Sequence, residues 1–377
     1  MTPGTTVDDP LAAFRRRLDS FLSQNLTDDL RNRWQRQGHV DRNFWTAFAK
    51  AGFLGASIPR QYGGHGGDFR HEVAILEGLM KHRADGMAVP LHNAVVAPYI
   101  ARYAREERRH AWLPKAAAGE MLLAIAMTEP GAGSDLQAIR TIAVRDGGGY
   151  RISGQKTFIS NGFVCDLVIV ACRTDGSAGA KGISLIAVET DREGFERGRL
   201  LHKMGQHARD TAELFFRDVW VPEENLLGEE RRGFAMLMEN LPQERMVIAC
   251  QALAMMEQAL SRTLEFTRSL EGQDRETVRL QLAGCVTEAK IARVFVDHCV
   301  RQLLAGELDS TTASMAKYWI TEAQARSLDR CLAVFEAWGF AGSNPIADLY
   351  RDARAYRLYG GTTEVMKTII GRSLSSP

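Results

Sequence analysis

The sequence predicts an α+β protein, mainly α, in which a sheet is inserted between two helical parts. Three observations predict it. Apolar residues recur at helical spacing through the first third, as in Leu11, Phe14, Leu18, Phe21 and Leu22 and again in Phe44, Trp45 and Phe48, with few β-branched residues among them. From about Met121 to Leu227 short β-rich runs alternate with turn residues. After "NLLGEERRGF" (225–234) helical periodicity returns, as in Leu280, Ala283, Val286, Ala289, Ile291, Val294 and Phe295 and later Ala313, Ala316 and Ile320. A chain of 377 residues exceeds what one core usually covers. Two or three domains sharing an interior are therefore expected, and the change of texture divides the chain into 1–119 helical, 120–228 β and 229–377 a helical bundle.

The first helical part is interrupted by "YGGHGGD" (62–68), whose four glycines point to positive φ, to close backbone approach, or to a plain surface turn. At the seam with the first strand, "AMTEPGAGSDL" (126–136) packs Pro130, Gly131 and Gly133 before Ser134. Successive N–H groups in such a turn can form a nest for phosphate, with the Ser134 and Thr128 hydroxyls beside it, although composition alone says only a loop. "TIAVRDGGGYRISG" (141–154) has the form of a hairpin around Asp146 and three glycines, and "DLVIVACR" (166–173), "GISLIAVE" (182–189) and "AELFFRDVWVP" (212–222) are further strands. "GQKTFISNG" (154–162) alternates Lys156, Thr157, Ser160 and Asn161 with Phe158 and Ile159, the pattern of an exposed strand end or a solvated turn.

In "LPQERM" (241–246), Pro242 suits the first turn of a helix, where Glu244 would favour the dipole as a structural cap. The sharper alternative makes Glu244 a base, since a carboxylate withdrawn from water takes up a proton near neutral pH. "YGGTTEVMKTII" (359–370) sets two glycines and two threonines ahead of a helical pattern, which suits either a helix N-terminus open to an anion or an ordinary Thr cap.

Lysine plus arginine (47) nearly equals aspartate plus glutamate (46), so no net field draws the chain to nucleic acid or an anionic membrane. A small-molecule substrate is expected instead. No apolar run reaches the ~18 residues of a membrane span. The six cysteines lack CxxC or Cys/His ligand spacing, which reads as reduced thiols in a cytoplasmic protein rather than a disulfide frame or a zinc site.

The blocks "AMTEPGAGSD", "GQKTFISNG", "HKMGQHARDTAELFFRDVWVP", "LPQERMVIA", "LDSTTASMAKYW", "PIADLYRDAR" and "YGGTTEVMKTIIGR" stand in one order along the chain. In that order they resemble the acyl-CoA dehydrogenase family from about residue 25 to 373, most closely its long-chain branch. The resemblance implies an N-terminal helical domain, a central β-barrel-like domain and a C-terminal four-helix bundle, with FAD between the β-domain and the bundle. It implies FAD contacts from Met127, Thr128, Gly133, Ser134, Phe158, Ile159 and Ser160. Thr362, Thr363 and Glu364 match the segment beside the adenosine-diphosphate part. Many members carry a glutamate base where this chain has Gly360; in the long-chain and isovaleryl branches it comes from the segment matching "LPQER", which places it at Glu244. The implied reaction takes the α-proton of an acyl thioester to Glu244 and hydride to flavin N5, the carbonyl being held by the N–H at Gly360. Ser134, Arg245, Tyr359 and Gly360 match positions near the substrate. An acyl-CoA or an acyl-carrier-protein thioester, an electron-transferring flavoprotein and a homodimer or homotetramer are the implied partners.

Two segments depart from the family. "EFTRSLEGQDRETVRLQLAG" (265–284) lacks the Arg-x-x-Phe-Gly loop that reaches a neighbouring subunit's FAD, and "CLAVFEAWGFAG" (331–342) has Ala333, Glu336 and Ala337 where the family favours Gln, Gly and Gly. A glutamate there would repel a pyrophosphate unless paired. Two alternatives follow: an FAD-poor interaction subunit, or a dehydrogenase or oxidase of carrier-tethered acyl groups.

Overall fold

A computed structural model describes residues 11–174, 176, 179–269, 272–335 and 344–374. It begins with α1 (Ala12–Asn25), α2 (Asp28–Gln37), α3 (Arg42–Lys50), α4 (Phe69–Lys81), α5 (Ala97–Tyr103) and α6 (Glu106–Ala117). Local sequence sets their ends. The Thr27 side chain accepts from Leu30 N to cap α2, and Gly38 terminates it in the left-handed region. Asp68 and His71 close a capping box at the start of α4. The glycine-rich turn before it is packed: Gly63 and Gly66 have φ of +77° and +66°, and a Cβ on Gly64 would collide with the Ile58 carbonyl. Leu91–Val96 form a π-helical turn leading into α5.

The middle part holds β1 (Leu123–Ala126), β2 (Ile142–Asp146), β3 (Gly149–Ser160), β4 (Leu167–Arg173), β5 (Ile183–Glu189), β6 (Phe195–Leu200), β7 (Thr211–Pro222) and β8 (Leu226–Leu227). They form one sheet in the order β6-β7-β3-β2-β4-β5-β8, with β1 parallel to β4. β2 and β3 are the expected hairpin, from Ile142↔Ser153 to Asp146↔Gly149. A single parallel pair, Ile142↔Arg173, joins β2 to β4, so the two halves of the sheet meet at that point.

The third part contains α7 (Gly233–Phe266), α8 (Gly272–Ala305), α9 (Ser310–Val334), α10 (Pro345–Ala353) and α11 (Thr363–Ser373). Pro242 is not in a first turn. α7 starts at Gly233, packed against the Ser184 backbone, and runs through the proline. Glu244 therefore lies beyond the reach of the helix-end dipole, and the cap explanation falls. Burial explains how the helix outlasts a proline: among the described residues α7 is the bundle's central element, with every residue from Glu244 to Met256 buried.

A second correction concerns "GQKTFISNG". Residues 154–160 are the end of β3, and Lys156 and Thr157 are buried rather than solvated. Lys156 Nζ donates to Glu129 Oε1 (2.8 Å) and to the carbonyls of Ala171 (2.7 Å) and Met127 (3.1 Å). Burial works to raise the Glu129 carboxyl; the Lys156 charge and the donors on Thr141 and Arg140 outweigh it and hold it below its ordinary value. One continuous apolar core runs from Ile58 and Tyr99 through Leu123 and Ile169 to Met255, Ile320 and Tyr356, so it crosses all three parts.

Candidate active site

Four segments make the site. The turn after β1 carries Met127, Thr128, Gly133 and Ser134. Thr157 N donates to the Thr128 carbonyl at 2.9 Å, which fastens this turn to the end of β3. There β3 is bulged against β7 between Lys156 and Ile159. The bulge puts Phe158 at φ +58° and leaves it 66% exposed, while Ile159 points into the core and Ser160 is half-buried. Ser134 is exposed; among the described residues Gly131 has no neighbour within 4 Å of where a Cβ would stand, and Gly133 has only Thr128 Cγ2, at 4.0 Å.

The third segment is α7. Glu244 is 8% exposed, and its Oε1 accepts from Tyr99 Oη of α5 at 2.6 Å. Burial pushes its carboxyl up to about 7, against the pull of that hydrogen bond and of the Arg245 charge. Arg245 is buried beside it. Its Nη1 donates to the Ser310 carbonyl (3.3 Å), Ser310 Oγ (2.7 Å) and Ser314 Oγ (3.1 Å) of α9.

The fourth segment is the turn before α11. Gly360 and Gly361 have φ of +66° and +97°. A Cβ on Gly360 would clash with Ile248 Cδ1, one helical turn after Glu244, so the Gly360 turn packs on the face of α7 that carries Glu244. Lys317 of α9, fully buried, donates from Nζ to the Gly361 carbonyl at 2.6 Å. Burial, then the Arg245 charge, brings the Lys317 ammonium down to about 8. Tyr359 is half-buried, with its Oη 3.5 Å from Gln206 Nε2. Beyond it the Thr362 hydroxyl accepts from Val365 N as an N-cap, the Thr363 hydroxyl donates to Glu322 Oε1 (2.7 Å), and Glu364 is exposed. Thr362 therefore caps α11, and no hydrogen bond among the described residues joins these three residues to the sheet.

Sequence reasoning missed Tyr99, Lys317 and Ile248. Tyr99 ends "DGMAVPLHNAVVAPY", whose facing has no periodic signal because a π-helical turn resets the phase. Lys317 stands in the block "LDSTTASMAKYW", where a lysine within the helical apolar pattern is its signal.

Family models for the acyl-CoA dehydrogenase N-terminal, middle and C-terminal domains match residues 9–120, 124–219 and 231–375. The chain belongs to the acyl-CoA dehydrogenase family. It is 41% identical over 370 residues to the mitochondrial long-chain specific acyl-CoA dehydrogenase of Rattus norvegicus, covering 96% of this chain and 86% of that one. An acyl-CoA dehydrogenase structure from Geobacillus kaustophilus superposes with a TM-score of 0.95 at 43% identity, over 99% of this chain and 100% of that one. The CarC subunit of the caffeyl-CoA reductase-Etf complex of Acetobacterium woodii is 29% identical over 362 residues, 94% of this chain and 95% of its own length.

The residues of this acyl-CoA dehydrogenase fit the ring end of a flavin. A phenylalanine held outward at positive φ, beside glycines facing open space, is a strained arrangement that a flat aromatic ligand stacked there would satisfy. Of the two segments that depart from the family pattern, residues 270–271 and 336–343, with Glu336 and Ala337, lie outside the described residues.

Proposed function

We propose that the chain oxidises the Cα–Cβ bond of an acyl-CoA to a trans-2-enoyl-CoA, with Glu244 taking the α-proton. One observation carries this: a buried carboxylate with a single hydrogen-bonded oxygen shares a face of α7 with the left-handed turn at Gly360. A base with a pKa near 7 is half ionised at neutral pH and matched to proton abstraction. The turn is braced by Lys317 through the Gly361 carbonyl, so the Gly360 N–H is pre-set to donate to the thioester oxygen as charge develops there. The apolar surroundings of Glu244, Ile248 among them, keep water from competing for the proton.

FAD, when bound, supplies the hydride acceptor at its N5 atom. Met127, Thr128, Gly133, Ser134, Phe158, Ile159 and Ser160 would hold its ring and pyrophosphate, and the N-terminus of α11, with Thr362, Thr363 and Glu364, would face its far end. Ser134, Arg245, Tyr359 and Gly360 would border the substrate. The name of the Etf-complex relative supports an electron-transferring flavoprotein as partner. Leu280, Ile291 and Val294, exposed along α8, support a homodimer or homotetramer. Six buried free cysteines are in keeping with a reducing cytoplasm. Among the described residues no helix is long and apolar enough to cross a membrane.

The test is Glu244→Gln in the flavin-loaded protein. Flavin content and melting temperature should hold while flavin bleaching by acyl-CoA slows by roughly 10²–10⁴-fold or more. Bleaching at the wild-type rate would mean that another group is the base.

A further inference from the structure

We infer that Tyr99 is the positioning residue of the proposed base: the first helical part fixes, through this one hydroxyl, which oxygen of Glu244 meets the substrate. The inference rests on Glu244 being that base. Tyr99 is fully buried, and its Oη lies 2.6 Å from Glu244 Oε1. Among the described residues no hydrogen bond reaches Oε2. Oε1 thus has one lone pair engaged, and Oε2 is left with both free to accept a proton.

The placement of Tyr99 is built into the chain. The π-helical turn Leu91–Val96 carries one residue more per turn than an α-helix and so rotates everything after it. Pro98, at the start of α5, offers no N–H to the carbonyl four residues back, that of Ala94. That carbonyl instead accepts from Gln243 Nε2 of α7 at 2.6 Å, the residue immediately before the base. A turn earlier on α7, Arg102 Nη1 donates to Asn240 Oδ1 (2.7 Å) and Tyr103 Oη to Glu239 Oε2 (2.6 Å). α5 is therefore clamped along the stretch of α7 that leads to Glu244, and a clamp of this kind holds a carboxylate in one rotamer.

The titratable groups that act on Glu244 or on its immediate partners are Tyr99, Arg102 and Tyr103 on α5, Arg245 on α7 and Lys317 on α9. Of these, Tyr99 and Arg245 act on the carboxyl directly, both favouring its ionised form. Loss of the Tyr99 hydroxyl thus moves the acid limb of substrate oxidation to higher pH, since a donor to the carboxylate is removed while burial remains. A tyrosine that merely filled space would leave that limb where it is.

The experiment follows flavin bleaching by an acyl-CoA in the holoenzyme from about pH 6 to about pH 9, a range that brackets the base. Tyr99→Phe is expected to keep the flavin, raise the apparent pKa by about one unit and recover most of its rate at the alkaline end. Tyr62→Phe, which removes a hydroxyl of the first helical part that bonds Glu106 instead, should leave the limb in place. If Tyr99→Phe does not fold, 3-fluorotyrosine at position 99 is a stronger donor in an unchanged shape and should move the limb downward. An acid limb that stays put in Tyr99→Phe, or in the fluorotyrosine protein, overturns the inference. Glu244→Gln separates the two failures. If it bleaches normally the base is misassigned, whereas a dead Glu244→Gln beside an unmoved Tyr99→Phe limb removes only the role of Tyr99.

Discussion

Gly360→Ala should destabilise the protein by two separable mechanisms, and the structure says how to pull them apart. Gly360 has φ +66°, where an alanine costs about 1–2 kcal/mol. The new methyl would also run into Ile248 Cδ1, whereas Ile248 Cγ1 stays at 3.7 Å, an ordinary contact. Overpacking of this kind adds roughly 1–3 kcal/mol, so the single variant should lose about 2–5 kcal/mol. Ile248→Val deletes the colliding atom and little else, at a cost of its own of about 0.5–1.5 kcal/mol. In the Ile248→Val background, Gly360→Ala should cost only the backbone share, about 1–2 kcal/mol. Urea denaturation followed by tryptophan fluorescence, the chain having six tryptophans, gives the four stabilities of the cycle. Equal costs in the two backgrounds would show that Ile248 does not close over the Gly360 turn. No cost in either would show that the left-handed turn itself is dispensable, and the pairing of Glu244 with Gly360 would go with it.

Two further outcomes concern buried charge. Lys156→Met leaves Glu129 buried without its cation and should lose about 3–5 kcal/mol, much of it restored by adding Glu129→Gln; a single-variant loss under ~1 kcal/mol in the same denaturation assay would refute this. Asp210 is buried and its carboxyl is pushed up from an ordinary 3.8 to about 6 by burial, against the N–H donors of Phe163 and Val164. Between those values the folded chain holds more proton than the unfolded one, so stability falls as pH rises from about 4 to about 6. Asp210→Asn removes that fall. Relative to wild type it should gain on the order of 2–3 kcal/mol between about pH 4 and neutrality, and parallel stability–pH curves would count against the assignment.

The order of helix, sheet and helix was legible because period-3.6 and period-2 apolar patterns occupy separate stretches, and the Gly147–Gly148 turn announces its hairpin. Glu244 and Gly360 were legible as a pair because each appears in a block whose family counterpart is recognisable. What was hidden depends on contacts distant in sequence. Pro242 looks like a helix start until the packing of Gly233 on Ser184 shows where α7 begins. Lys156 looks solvated in an alternating strand until Glu129, 27 residues earlier, is folded over it. Tyr99 gives no local sign of its partner because 145 residues separate it from Glu244.

The continuous core that links Tyr99, Ile169 and Met255 has an evolutionary consequence. Because the seams between the three parts run through packed interior and not through open linkers, no part can be inherited as an interchangeable module. A gene that exchanged its first hundred codons with a distant paralogue would import an α5 surface unmatched to its α7, and with it a displaced hydroxyl beside the carboxylate. Divergence along these seams must proceed by compensated pairs, one change on each side.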